Sequence, residues 1–343
     1  MNAILQELVP GASVAALCAK GDAYIKEGCN NVTEITDKGI AFPTCINVNN
    51  VVGHYSPVNA NVSDRKLKAG DVVKVDMAAQ LDGYSSVTAH TWIVPPVGGQ
   101  QEAIGGDKAA AICAAYFASE CAIRMLRPGQ TNNEITRVMN QCIDIFKCNA
   151  VEGVLSHSLH RYAIDGRNVI IGKADIDNQV EEHQLMPNEV YALDVVVSTG
   201  EGKTKESGEK TSIYMNNAEN TFNPRMQAAK HLKNNINRHY KHYPFNPRNM
   251  PDERKARLGL SELIKHDCVQ PFPVLQERGG TIVAQFKFTI LVFEKNIVRL
   301  NSFQLPWVSS DYSTDSDADI SALLAQPTGE EFEEEGAEAM DTT

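Results

Sequence analysis

Two hydrophobic periods run through the chain, and where each one holds predicts the elements. Over 72–78, Val73, Val75 and Met77 fall on one side of a strand, with Lys74 and Asp76 on the other. The turn KAGD precedes it, and Asp82-Gly83 punctuates a hairpin into a second strand over 85–94. The same alternation governs 189–197, where Val190, Ala192, Asp194 and Val196 share a face. It returns over 281–293, where Gln285, Lys287 and Thr289 oppose Ala284, Phe286, Phe288 and Ile290. Helical spacing holds over 12–27, with a stop expected at Gly28, and over 107–126, stopped by Arg127-Pro128-Gly129. It also holds over 132–147, where Ile135, Val138, Met139, Cys142, Ile143 and Phe146 form one stripe. Hairpins alternate with helices and no strand–helix–strand unit repeats, so the expected class is α+β with antiparallel pairing.

Charges project from the interior of three of these apolar strands at Asp76, Asp194 and Lys287. A charge in such a place is costly unless it is paired or ligated. Together with His54 and His157 they are candidates for one converging site, although each alone could be a satisfied buried residue.

Composition narrows the class. Of 343 residues, 43% are hydrophobic and 22% charged, as in ordinary globular chains with core enough for one large or two moderate domains. No apolar run approaches the roughly 18 residues of a membrane span, so no membrane is expected among the partners. The first eleven residues carry Glu7 and no basic residue, unlike a signal peptide. Eight cysteines without a CxxC pair are expected to be the reduced, semi-buried thiols of a cytosolic or nuclear protein.

The formal charge of −11 is segregated. Residues 311–343 hold eleven acidic residues and no Lys or Arg, so the rest of the chain is neutral. With few aromatics, that stretch is expected to stay disordered, as a solubilising tail or a contact for basic partners. Residues 224–265 hold ten basic and three acidic residues, a net of +7, interleaved with His231, His239, Tyr240, His242 and Tyr243. Cations beside planar rings suit phosphate contacts with base stacking. A solvated helical face would have a similar composition. No zinc-finger or RNP spacing is present, so RNA recognition would be of shape and backbone.

Five segments, in order, carry a resemblance: AFPTCINVNNVVGHYSP, GDVVKVDMAAQLDGYSSVTAHT, LSHSLHRYAIDG, EVYALDVVVSTGEGK and AQFKFTILV. They resemble the type 2 methionine aminopeptidases and, more closely, the proliferation-associated, ErbB3-binding protein family, from about Val14 to Leu324. The resemblance implies a pita-bread fold over 1–305 and a helical insert within it over 222–269; composition sets off an acidic disordered tail over 306–343, where relatives often end in a lysine-rich one. KARLGLSELIKHDCVQPFPVL looks like the end of that insert.

It also implies where a dimetal peptidase site would lie. Such a site takes an Asp, a second Asp eleven residues later, a His, a Glu and a final Glu, with carboxylates bridging the two cations. The matching positions are Asp76, Val87, His157, Asp194 and Lys287, and His54 matches the substrate-side histidine. Val87 has no donor atom, and an ammonium at Lys287 repels a cation. The formal charge of the site falls from −4 to −1. A pseudoenzyme without metal or cofactor is therefore expected, with Lys287 paired to Asp76 or Asp194. The alternative is an active metalloaminopeptidase, or another hydrolase, using one metal held by Asp76, His157 and Asp194.

Relatives of this kind bind the large ribosomal subunit near the polypeptide exit tunnel, through its RNA and proteins, and act in ribosome assembly, translation and growth control. The resemblance implies the same partners here, with other RNA and signalling proteins as further ones. It implies a monomer in the cytoplasm, with the family's nuclear and nucleolar presence. The phosphate-contact candidates are Arg225, Lys230, Lys233, Arg238, Lys241, Arg254, Lys255 and Arg257, with Lys203, Lys205 and Lys210 in second rank.

Overall fold

The computed structural model describes residues 1–328 apart from 62, 64, 99–102, 175–178, 303 and 304. The first elements are α1 (Asn2–Leu5), α2 (Val14–Asn30), β1 (Lys38–Val48), β2 (Val51–Gly53), β3 (Val72–Leu81) and β4 (Tyr84–Ile93). There follow α3 (Gly106–Met125), α4 (Asn132–Ile145), β5 (Asn149–Ala150), β6 (Leu155–Ser158), β7 (Val169–Ile171) and β8 (Glu189–Ser198). Next come β9 (Lys205–Glu206), β10 (Ile213–Asn216), α5 (Gln227–His239), α6 (Glu253–Lys265) and β11 (Val269–Phe272). The last are β12 (Leu275–Gln276), β13 (Val283–Val292), β14 (Ile297–Arg299) and α7 (Ala318–Leu324).

The main sheet runs β1-β3-β4-β13-β8-β6-β7, with β14 on β13 and β5 on β8. Each of these strand pairs is antiparallel, as expected. The β3–β4 hairpin turns through Asp82 and Gly83, both at positive φ (51° and 83°), which matches the right-handed twist of the strands it joins. One face of the sheet is apolar and covered by helices. Val73 and Val75 lie under α2 with Val14 and Leu17, while Phe286, Phe288, Leu193 and Val195 lie under α3 and α4. The expected stripe on α4 is buried there in full.

Two expectations need correction. The helix expected to stop at Gly28 runs on to Asn30, because Cys29 is buried behind it and an interior glycine costs only about 1 kcal/mol. The acidic stretch expected to be disordered from 306 contains α7. Asp317 caps that helix by accepting the Asp319 and Ile320 amides, and Ile320 is buried in the core beneath α3 and α4. The charge average hid a short apolar stripe of Ile320, Leu323 and Leu324. Residues 329–343 lie outside the described residues.

The insert is a unit with its own core. β10 pairs with β11 and closes a loop over 217–268, in which α5 packs on α6 around Leu232, Ile236, Phe245, Leu260 and Leu263. It is tied to the body by Arg248. The guanidinium donates to the Asp22 carboxylate (2.7 Å) and to the carbonyls of Thr44, Ser56 and Pro57.

Candidate functional site

Four strands carry one row of side chains across the face of the sheet opposite the helices. Asp76 in β3 pairs with Ala89 in β4, Ala89 with Lys287 in β13, and Lys287 with Asp194 in β8. Residues paired across antiparallel strands point to the same side, on strands about 4.8 Å apart. Lys287 therefore meets Asp194 as a neighbour but must extend over β4 to reach Asp76. Ala89 leaves that lane open, since its methyl is the only side-chain atom in the way. The ammonium lies 2.8 Å from Asp76 and 3.0 Å from Asp194, with all three side chains between 11% and 16% exposed.

Around this triad the walls are apolar. Val87 stands opposite Ala78 in the β3–β4 pair, and with Phe42, Ile164 and Phe272 they line a cavity of about 170 Å³ that also holds Asp76, His157, Asp194 and Lys287. His157 in β6 pairs with Ala192 and donates from Nδ1 to the Gly166 carbonyl (3.2 Å), which fixes the orientation of its ring. Gln285 donates to Asp194 (2.9 Å). In the strand pattern Gln285 is one more polar residue on its face, and its use follows from the register that sets it near Asp194.

His54 stands at the edge of the cavity, within electrostatic range of Asp76 and Lys287. At φ 66° it turns so that Nδ1 donates to the Pro273 carbonyl (2.9 Å), and its ring packs behind Phe42 and Phe272. The two phenylalanines line the cavity. Burial pushes the imidazole's pKa down, so it is held neutral.

Burial also works against the Lys287 ammonium, but Asp194 and Asp76 outweigh it and hold its pKa above the ordinary lysine value of 10.5. For Asp194, burial raises the carboxyl pKa and Asp76 adds to it. Lys287 and Gln285 oppose the rise, and the net direction is upward. A divalent pair needs bridging anions where this chain has an isopropyl group and an ammonium. Among the described residues no three His, Cys, Asp or Glu side chains converge as a metal set. The residues present do not fit the two metals of the aminopeptidase site.

The basic candidates separate by exposure. Arg225, Arg238, Lys241, Arg254, Lys255 and Arg257 are exposed, and Lys230 is half-buried. Lys233 instead turns inward and donates to the Asn220 and Phe222 carbonyls, fixing the lead into α5. Lys255 lies 3.1 Å from Asp252 and Arg257 lies 3.4 Å from Glu253. Such exposed pairs are weak enough for a phosphate to displace. Arg248, counted in the +7 stretch, is buried in its pair with Asp22 (side chains 5% and 2% exposed) and cannot face a partner. Of the second-rank lysines, Lys203 is exposed 3.4 Å from Glu201 and Lys205 lies exposed in β9, while Lys210 lines a groove beside α6.

No described helix is long and apolar enough to cross a membrane. The sequence pattern of metallopeptidase family M24 matches residues 1–220. Proliferation-associated protein A of Dictyostelium discoideum is 42% identical over 329 residues, covering 94% of this chain and 84% of its own. ErbB-3 binding protein 1 of Solanum tuberosum is 37% identical over 333 residues, covering 96% and 84%. The solved structure of a thermophilic Arx1 superposes with a TM-score of 0.86 at 21% identity, covering 96% of this chain and 95% of that one, a likeness of fold. The sheet, the helices and the inserted pair α5–α6 thus make a pita-bread fold, and the chain belongs to metallopeptidase family M24, among the relatives of the proliferation-associated and ErbB-3 binding proteins.

Proposed function

We propose that this chain is a non-peptidase member of its family that docks on the large ribosomal subunit near the exit tunnel. The observation that carries the first half is the Lys287 ammonium, seated between Asp76 and Asp194 where a dimetal peptidase needs an anion. A cation already satisfies both carboxylates, so a divalent ion would have to displace a buried ion pair. The cavity then persists as part of the sheet's packing.

The second half rests on charge. A body that sums to −7 outside residues 224–265 and 311–343 carries one strongly basic unit, tied to it through Arg248, with six exposed Lys and Arg side chains among the candidates. Cations on a preformed helical pair suit RNA recognised by shape and backbone. The partners are then ribosomal RNA and the proteins around it, met in the cytoplasm with a nuclear and nucleolar phase during subunit assembly.

Co-sedimentation with large subunits tests the docking. Association is expected to fall steeply with salt, as phosphate contacts require, and to be lost when Lys255→Glu and Arg257→Glu are combined. Salt-insensitive or absent association would remove the reading. For the site, purified protein is expected to hold no stoichiometric metal and to leave a methionyl peptide uncut. Combining Val87→Asp with Lys287→Glu is expected to create metal binding. Turnover by the unaltered chain would overturn the non-peptidase half.

A further inference from the structure

α6 has two working faces. Ala256, Gly259, Leu260 and Leu263 are buried, packed toward α5. On the far side Arg254, Arg257, Leu258, Ser261 and Ile264 follow helical spacing along a groove of about 570 Å³ whose other wall includes Lys210 and Tyr214. Leu258 is 58% exposed and Ile264 39%, so neither contributes much to folding. Lys210 and Arg254 have no ion-pair partner among the described residues, and Arg257 has only the looser contact to Glu253 at 3.4 Å.

A phosphate backbone gains nothing from an exposed leucine and isoleucine. A polypeptide carrying both carboxylates and large apolar side chains gains from the whole surface. Its apolar groups would cover Leu258 and Ile264, and its carboxylates would meet the two guanidinium forks. We propose that this groove docks a segment of a partner protein in which acidic residues flank one or two large apolar side chains. The site goes beyond the RNA reading and shares Arg254 and Arg257 with it, so the decisive substitutions are the apolar ones.

The test uses the full chain and two short fluorescein-labelled peptides of equal negative charge. One has leucine and phenylalanine among its glutamates, the other serine in their place. The apolar peptide is expected to bind about tenfold more tightly than the serine peptide, and Leu258→Asp or Ile264→Asp to remove that advantage. Both residues are exposed, so the variants keep the fold, and large-subunit co-sedimentation reports separately on the RNA reading. Equal binding of the two peptides overturns the proposal. So does an apolar-peptide affinity that stays within about twofold in Leu258→Asp. An RNA hairpin that displaces the peptide and is itself weakened about tenfold by Leu258→Asp would assign the groove to RNA instead.

Discussion

A lysine among carboxylates inverts the electrostatics that a metal pair would impose. Lys287 is the counter-ion of two acids that are otherwise buried side by side, so its removal should cost more than its own contacts. Lys287→Met is expected to destabilise the fold by about 3 kcal/mol, read as a lower urea midpoint. Adding Asp76→Asn and Asp194→Asn should restore most of the loss, because no unpaired charge is left. A second expectation concerns pH. The Lys287 pKa is raised on folding, so its stabilisation is complete below the ordinary value of 10.5 and is lost as pH rises through the folded value. The stability gap between the unaltered chain and Lys287→Met should stay constant from neutral pH to about 10.5 and narrow above it. The three charges of this triad were legible in the sequence, because each breaks an apolar alternation. Ala89 and Gln285 were not, because their use depends on which strands become neighbours.

Whole strands and long helices were the most legible, since burial on one face imposes a period of 2 or 3.6 on the sequence. Elements held by tertiary contact were less so. Arg248 looked like one more cation on a basic surface and is instead the buried clamp between the insert and α2. The α7 helix was lost in an acidic average, although Ile320 is core. Gly259 gives the sharpest test at this scale, because propensity and packing predict opposite signs. In an isolated helix alanine would be favoured over glycine by about 1 kcal/mol. Here a Cβ would stand 2.6 Å from the Ala228 carbonyl oxygen, a backbone atom that cannot swing away. Gly259→Ala is therefore expected to destabilise the insert by about 1–3 kcal/mol. Hydrogen exchange should quicken in α5 and α6 while the amides of β8 and β13 keep their protection.

At the scale of the molecule, the segregation of charge is the part of the proposed function that composition alone displays. The +7 stretch 224–265 and the acidic stretch 311–343, of charge −11, sit on a body that otherwise sums to −7. Long-range attraction to RNA follows the total field, whereas the lifetime of the complex follows the contacts once made. Residues 329–343 carry seven carboxylates and no cation, so their deletion takes the formal charge from −11 to −4 and leaves every insert residue in place. If these carboxylates act only through the field, deletion should speed association with large subunits several-fold at low salt. The gain should vanish near 1 M salt, where the screening length falls to about 3 Å, and the dissociation rate should not change. Stopped-flow association and dissociation at several salt concentrations separate the two effects. Slower dissociation in the truncated chain would mean that the acidic segment competes for the insert's own phosphate contacts, and the purely long-range account would then be wrong.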